Sequence, residues 1–416
     1  MSSGLQTPAA FVRDSEERLV ETTMDLLAYD TSNPPGETAE IAADVESRLA
    51  DLGLETETFA VDPEKPNVMA TLPGEREETL LFNGHFDTVP YDAEGWSADP
   101  LGERRDGRIY GRGATDMKGQ VAAMLEVARA FVETETTPPL DLRFVFVSDE
   151  ETGGDAGIEA MLDGPGVEAD ACVIGETTCC RGRHSITVAD RGCIWLTLEA
   201  DGESAHGSRP MLGENAVDRL YDALTTLLEQ FGDRPLDLDP DLDPIVDESV
   251  AYYEPTIGAS AARDLFQHPT INVGTIEGGE AINVVPSQAT ARVDLRLTAG
   301  VETEAVLADV ETCIDECEGV SVADVSWSVG SYEPVDSPLV DAATELASDV
   351  MGESVYRRSA TGGGDAKKFR HAGVPTVELG MGTDTVHAVD EFTTTEALVN
   401  NATAYARLPY AIADRL

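Results

Sequence analysis

The chain has 416 residues, 42% of them hydrophobic, with 79 acidic side chains against 28 basic ones and a formal net charge of −51. That length suits two domains, or one large domain carrying an insertion, and the apolar fraction is enough for sizeable cores. The charge argues against nucleic acid or an anionic membrane as partner, and the apolar periodicity along the whole chain argues for a folded protein adapted to high salt rather than a disordered one.

Only four lysines are present, Lys65, Lys118, Lys367 and Lys368, so arginine carries most of the positive charge. The six cysteines show no repeated spacing that suggests a disulfide framework. Cys313 and Cys317, four apart on an expected helix, read as reduced thiols rather than metal ligands. No charged-then-apolar leader stands at the N-terminus, and no apolar run approaches about 18 residues. The expected location is cytoplasmic.

In chain order, helical spacing covers Glu16 to Tyr29 and Ala39 to Leu52, with Gly53 as a stop. A strand is expected at Thr79 to Asn83 and a long amphipathic helix at Met117 to Phe131. "LRFVFVS", Leu142 to Ser148, is a near-continuous apolar strand. A short helix follows at Gly157 to Leu162, then a strand at Ala171 to Ile174. Strands alternating with helices predict an α/β fold with a mostly parallel sheet, flanked by helices on both faces.

The rhythm changes near residue 184. "HSITVADRGCIWLTLEAD" reads as one long strand. Helices at Asn215 to Gln230 and Val301 to Cys317, and strands at Thr270 to Ile276, Gln288 to Leu297 and Val320 to Val329, complete a β-α-β-β-α-β order. This predicts an inserted α+β, ferredoxin-like domain. The acidic stretch "GDRPLDLDPDLDPIVDE" inside it reads as a surface loop. Beyond Ser337 the α/β rhythm returns, with helices at Leu339 to Met351 and Ala366 to His371, a strand at Thr376 to Leu379 and a final helix from Thr394. The expected division is 1–183 with 335–416 as one α/β domain, and 184–334 as the insert.

Ligands of α/β sheets collect beyond the carboxyl ends of the strands. His85 and Asp87 follow the first strand. Asp116 follows "GRGAT" and precedes a helix. Asp149, Glu150 and Glu151 follow "LRFVFVS", Glu176 follows "ACVIG", and His387 follows the last strand through "GMGTDTV". One acidic strand end is unremarkable in so acidic a chain. Two of only six histidines beside several carboxylates are hard to explain as solvated surface, and imidazoles with carboxylates suit zinc. The donors exceed the needs of one tetrahedral ion and fit a pair sharing one carboxylate. Such a pair makes hydroxide available at neutral pH. In "HFD", residues two apart share one side of a strand. His85 can therefore bind metal with one ring nitrogen while Asp87 takes the proton of the other.

"GHFDTVP", "GRGATDMKG", "SDEETGG", "VIGETT", "ESAHGSRPMLGENA", "INVVPSQATARVDLR" and "HAVDE" resemble, in order, the blocks of one family. It is the co-catalytic zinc amidohydrolases and peptidases that include acetylornithine deacetylase, succinyl-diaminopimelate desuccinylase and carboxypeptidase G. The resemblance implies a zinc-exopeptidase-like catalytic domain with a lid and dimerisation domain inserted, and hence a homodimer. It implies that His85 and Glu176 hold one divalent ion, Glu151 and His387 the other, and that Asp116 bridges them, with a cis peptide to Met117. Zinc is the expected metal, and cobalt or manganese also fits. Asp87 would orient His85, and Glu150 would be the general base. His206 would stabilise the oxyanion from the neighbouring subunit. Arg191, Asn283 and Arg296 match positions that meet the substrate carboxylate or carbonyl, and a structural ion pair competes for Arg296. Gly363 and Gly364 lie in a glycine-rich substrate loop. Gly364 stands where a hydroxyl residue is more usual.

The expected function is metal-dependent hydrolysis of the amide of an N-acyl amino acid, of the N-acetylornithine or N-succinyl-diaminopimelate type. A dipeptidase or carboxypeptidase is the alternative within the family. A non-catalytic binder of amino-acid derivatives is the alternative outside it, and a complete ligand set with Glu150 argues against that. Neither a G-x-S-x-G elbow nor an H-E-x-x-H helix is present.

Overall fold

The computed structural model describes residues 6–416. The chain forms two compact units. The first comprises the chain through Val188, then Glu333–Arg358 and Gly364–Leu416; the second comprises Ala189–Tyr332 with Ser359–Gly363.

The first unit is built on a mixed sheet. Its centre is four parallel strands in the order Asp141–Val147, Thr79–His85, Ala171–Ile174 and Thr376–Glu378. Thr79–His85 is buried at every position, so it shows no alternation: both faces are covered. On one face Leu81, Val145, Val147 and Cys172 pack against Ile158, Met161 and Phe369. On the other, Phe82 stacks on Phe144 at 5.5 Å and meets Tyr405 of helix Thr395–Ala413 at 5.6 Å. Each such buried phenylalanine contributes on the order of 2–3 kcal/mol of transfer free energy.

Antiparallel strands flank this centre. Glu55–Phe59 and Asn67–Leu72 form an outer hairpin on Asp141–Val147, and Arg183–Asp190 meets Thr376–Glu378 from the other side. The sheet is therefore mixed, with the parallel strands at its middle. The hairpin escaped the sequence reading because Glu55–Phe59 is a short, largely exposed edge of "ETETF", with too little apolar content to register.

The second unit has four antiparallel strands in the order Thr270–Gly278, Gln288–Leu297, Gly192–Asp201 and Val320–Ser328. Helices Ala216–Phe231 and Thr303–Asp315 cover one face, burying Leu220, Leu224, Leu227, Val310 and Ile314 against Ile194, Leu196, Leu198, Val293 and Leu295. The alternating burial of "QATARVDLRL" is that of a one-sided sheet.

Two expectations need correction. The long strand from residue 184 is two strands, Arg183–Asp190 and Gly192–Asp201. They are separated at Arg191, which is almost wholly buried. The acidic stretch is a loop only in its first half: residues 232–239 carry no helix or strand, whereas Pro240–Leu242 is a 3₁₀ turn leading into helix Asp243–Ile257, and Ala259–Gln267 follows. Asp239 caps the turn by accepting from the Asp241 amide. Leu242, Ile245, Val246, Ser249 and Tyr252 are buried at helical spacing, and the aspartates occupy the wet face. The density of acid and proline hid that stripe.

Candidate metal centre

The site lies within the first unit, at the carboxyl ends of its parallel strands. His85 closes Thr79–His85, Glu150 and Glu151 follow Asp141–Val147, and Glu176 follows Ala171–Ile174. Asp116 immediately precedes helix Lys118–Glu133 and its N-cap Met117, and the Asp116–Met117 peptide is cis. His387 lies beyond Thr376–Glu378, in a backbone conformation with φ of 60°.

These residues converge as two groups that share one member: His85, Asp116 and Glu176, and Asp116, Glu151 and His387. His85 Nε2 is 3.1 Å from Glu176 Oε1 and 3.3 Å from Asp116 Oδ1. His387 Nε2 is 3.1 Å from Asp116 Oδ2 and 3.1 Å from Glu151 Oε2. The two oxygens of Asp116 thus divide between the groups, and each imidazole nitrogen faces two carboxylate oxygens. Glu151 is aimed from behind, its Oε1 accepting the Val89 amide at 3.2 Å.

The donor set fits divalent cations. Asp116 Oδ1 is buried without a hydrogen-bond partner, an arrangement that costs free energy unless a cation meets it. The protonation equilibria point the same way. Burial would lower His85, yet the neighbouring carboxylates of Asp116, Asp87 and Glu176 lift it well above its ordinary value. Hydrogen bonds with Asp116 and Glu151 raise His387 to about 10. Burial and then the Asp116 charge push Glu176 to about 8. Without metal, protons supply the positive charge that the carboxylates demand.

Glu150 stands beside this cluster. Burial first, and then the charges of Asp365, Glu176 and Glu151, raise its carboxyl well above the usual range, against the opposing effect of His85. A Cβ on Gly364 would lie 3.0 Å from Glu150 Oε1, so the glycine loop runs close to that carboxylate.

The reading of Asp87 changes in one respect. His85 Nδ1–H donates to the backbone carbonyl of Asp87 at 2.9 Å, while the nearest carboxylate oxygen is 3.6 Å away. The Asp87 carboxylate accepts instead from the amides of Glu150 and Glu151, both at 3.1 Å, and from Asn33 Nδ2 at 2.8 Å. Asp87 therefore fixes the turn that carries both glutamates, while its backbone fixes the histidine tautomer.

The family model for peptidase family M20/M25/M40 matches residues 81–411. The chain belongs to this family. The M20 chain is 31% identical over 331 residues to succinyl-diaminopimelate desuccinylase of Rhodospirillum centenum, covering 78% of each. It is 27% identical over 366 residues to acetylornithine deacetylase of Vibrio campbellii, covering 85% of this chain and 86% of that one. Among solved structures, an M20 family metallo-carboxypeptidase, Sso-CP2 from Sulfolobus solfataricus, superposes with a TM-score of 0.79 at 21% identity, over 96% of this chain and 99% of that one. The M20 protein is thus an enzyme, a metallo-hydrolase of this family.

In the second unit of the M20 enzyme, His206 is exposed, and its Nδ1 lies 2.8 Å from Ser208 Oγ. Its loop is tied to that of Asn283, since Gly207 N donates to Asn283 O at 2.7 Å. Asn283 and Gly363 are exposed. Arg191 donates to Thr270 Oγ1 at 2.9 Å and to the Arg296 carbonyl at 2.8 Å. Arg296 donates to Asp294 Oδ1 at 2.8 Å and lies over the Trp195 ring. The ion pair weighed for Arg296 is present.

Three supporting residues were missed. Asn33 bridges Asp87 and Asp149, donating to Asp149 Oδ1 at 2.9 Å as well. Lys65 Nζ reaches the same Asp149 oxygen at 2.5 Å. Glu391, inside the quoted "HAVDE" block but unweighed there, accepts the amides of Gly113, Thr115 and Asp116. Only for Glu391 did the sequence hold a signal, its place within that block.

Proposed function

We propose that this M20 enzyme cleaves the amide of an N-acyl amino acid, of the N-succinyl-diaminopimelate or N-acetylornithine type, releasing a carboxylate and a free amine. The observation that carries the reading is the pair of donor groups sharing Asp116. His85 and Glu176 would hold one divalent ion and Glu151 and His387 the other, with zinc the first choice. When bound, such ions polarise a carbonyl and lower the pKa of water from about 15.7 towards ~7.

Glu150 takes the proton of the attacking water and later passes it to the leaving amine, as the carbonyl carbon gains its new C–O bond and loses its C–N bond. Its raised proton affinity suits both halves of that cycle. Asp87 holds the Glu150–Glu151 turn in place. His206 supplies a donor to the developing oxyanion from a partner subunit, the second unit being the proposed lid and dimer contact. Arg191, Asn283, Arg296, Gly363 and Gly364 are the proposed substrate contacts. The two relatives named as desuccinylase and deacetylase support the choice of substrate class.

The test is a panel of N-succinyl and N-acetyl amino acids and dipeptides, assayed in molar salt with metal-stripped and reloaded protein. Hydrolysis of an N-acyl amino acid that returns only on reloading is the expected result. Turnover confined to dipeptides would replace the deacylase reading with a peptidase, and full activity of stripped protein would remove the metal from it.

A further inference from the structure

Glu391 is wholly inaccessible to solvent, yet it is a carboxylate, and its bonds reach backbone amides and a guanidinium rather than any ligating side chain. Oε1 accepts the amides of Gly113 at 3.1 Å, Thr115 at 3.0 Å and Asp116 at 3.1 Å. Oε2 accepts Arg112 Nη1 at 2.6 Å. The same guanidinium donates through Nη2 to the backbone carbonyl of His387 at 3.4 Å. Glu391 follows His387 by four residues, and Arg112 precedes Asp116 by four. The neighbouring backbone is paired as well: Gly111 N donates to Glu391 O at 3.0 Å, and strand Phe392–Thr394 runs antiparallel to Arg108–Tyr110. One buried ion pair therefore stitches the Asp116 loop to the His387 loop, whose side chains face each other at 3.1 Å.

We propose that Glu391 and Arg112 are positioning residues for the cation held by Asp116, Glu151 and His387, and that they act on this group far more than on the one formed by His85 and Glu176. His85 and Glu176 end adjacent strands of the sheet core, Thr79–His85 and Ala171–Ile174, which pair directly. They are aligned without the stitch. His387 lies on a loop with half of its side chain exposed, and Arg112 links its backbone carbonyl to the Asp116 loop. A buried carboxylate with three amide donors and a guanidinium has a rigid geometry and one task, to hold those donors still. Partners that orient ligands in this way carry a 10- to 100-fold share of metal affinity in general.

The inference rests on the two-cation reading above, and the experiment separates the two. Metal-stripped protein is titrated with zinc against a competing chelator, in molar salt, for the unaltered chain, Glu391→Gln, Arg112→Lys and His387→Ala. The unaltered chain should bind two ions, and His387→Ala identifies the step that belongs to its group. Glu391→Gln and Arg112→Lys should weaken that same step by roughly 10- to 100-fold and leave the other step within about twofold. The metal-free melting temperature should fall in Glu391→Gln, where a buried charge loses its partner, and the unchanged other step shows that the site is still folded. If the unaltered chain binds fewer than two ions, the cation reading itself fails. If it binds two and both variants match it, or both steps weaken together, Glu391 is a packing residue and the proposal is overturned.

Discussion

Glu150 and Glu151 are consecutive, yet their carboxylates have different surroundings. Glu151 is tethered by the Val89 amide and faces His387. Glu150 sits beside the cluster, with its proton affinity raised by burial and neighbouring charge. The separation depends on Asp87, which holds both backbone amides. Glu150→Gln is isosteric and leaves Asp87 and the donor groups in place. It should retain two ions per chain by metal analysis and lower kcat by roughly 100- to 10,000-fold. Loss of an ion in that variant would move Glu150 into the ligand set.

The loop after strand Asp141–Val147 shows how an element delivers such residues. Asp149 has φ of 64°, and its carboxylate is fixed by Lys65, Asn33 and Thr152. The chain must then pass very close to it. A Cβ on Gly154 would lie 1.9 Å from Asp149 Oδ2. Because Asp149 is anchored on three sides, it cannot swing away without losing those bonds. Gly154→Ala should cost about 1–3 kcal/mol in a denaturant titration of the metal-free protein. An unchanged midpoint would show that the loop has slack. Gly380 has a parallel role, since a Cβ there would lie 2.4 Å from the Glu176 carbonyl.

Over the whole molecule, two consequences of charge are measurable. The first is the pH response of metal-free protein. His387 has a pKa of about 10 folded against ~6.5 unfolded, and Glu176 about 8 against ~4.3. Both are raised, so the stability they bring is fully present below the unfolded values and is lost as pH rises through the folded ones. The melting temperature of stripped protein should therefore fall from about pH 4 to 10, most steeply between about pH 6.5 and 8 where both groups titrate. Reloaded protein, with these groups ligating in unprotonated form, should show a much shallower slope. A flat profile for stripped protein would contradict the site electrostatics. The second consequence follows from a net charge of −51. Screening shortens from about 10 Å at 0.1 M salt to about 3 Å at 1 M, so the melting temperature should climb across that range and activity should require salt. Full stability in dilute buffer would refute the proposed salt adaptation.

His387, on a loop nine residues past Thr376–Glu378, was legible in the sequence through its "HAVDE" block. The other residues now found in the donor groups were legible because they end or closely follow a short apolar strand or precede a helix, and those periods of two and 3.6 are local. The β-α-β-β-α-β order of the second unit was legible for the same reason. What only the tertiary structure decided was pairing across distance. The proton of His85 goes to a backbone carbonyl rather than to the Asp87 carboxylate, a choice set by angstrom-scale geometry at the strand end. Glu391 holds amides up to 278 residues away, and Asn33 joins Asp87 to Asp149 across separations of 54 and 116 residues. The second half of the acidic insert became helix because Ile245 and Val246 found a buried surface. Hydrogen bonds and burial of this kind are satisfied by whichever segments the packed core brings together, and local periodicity carries no record of them.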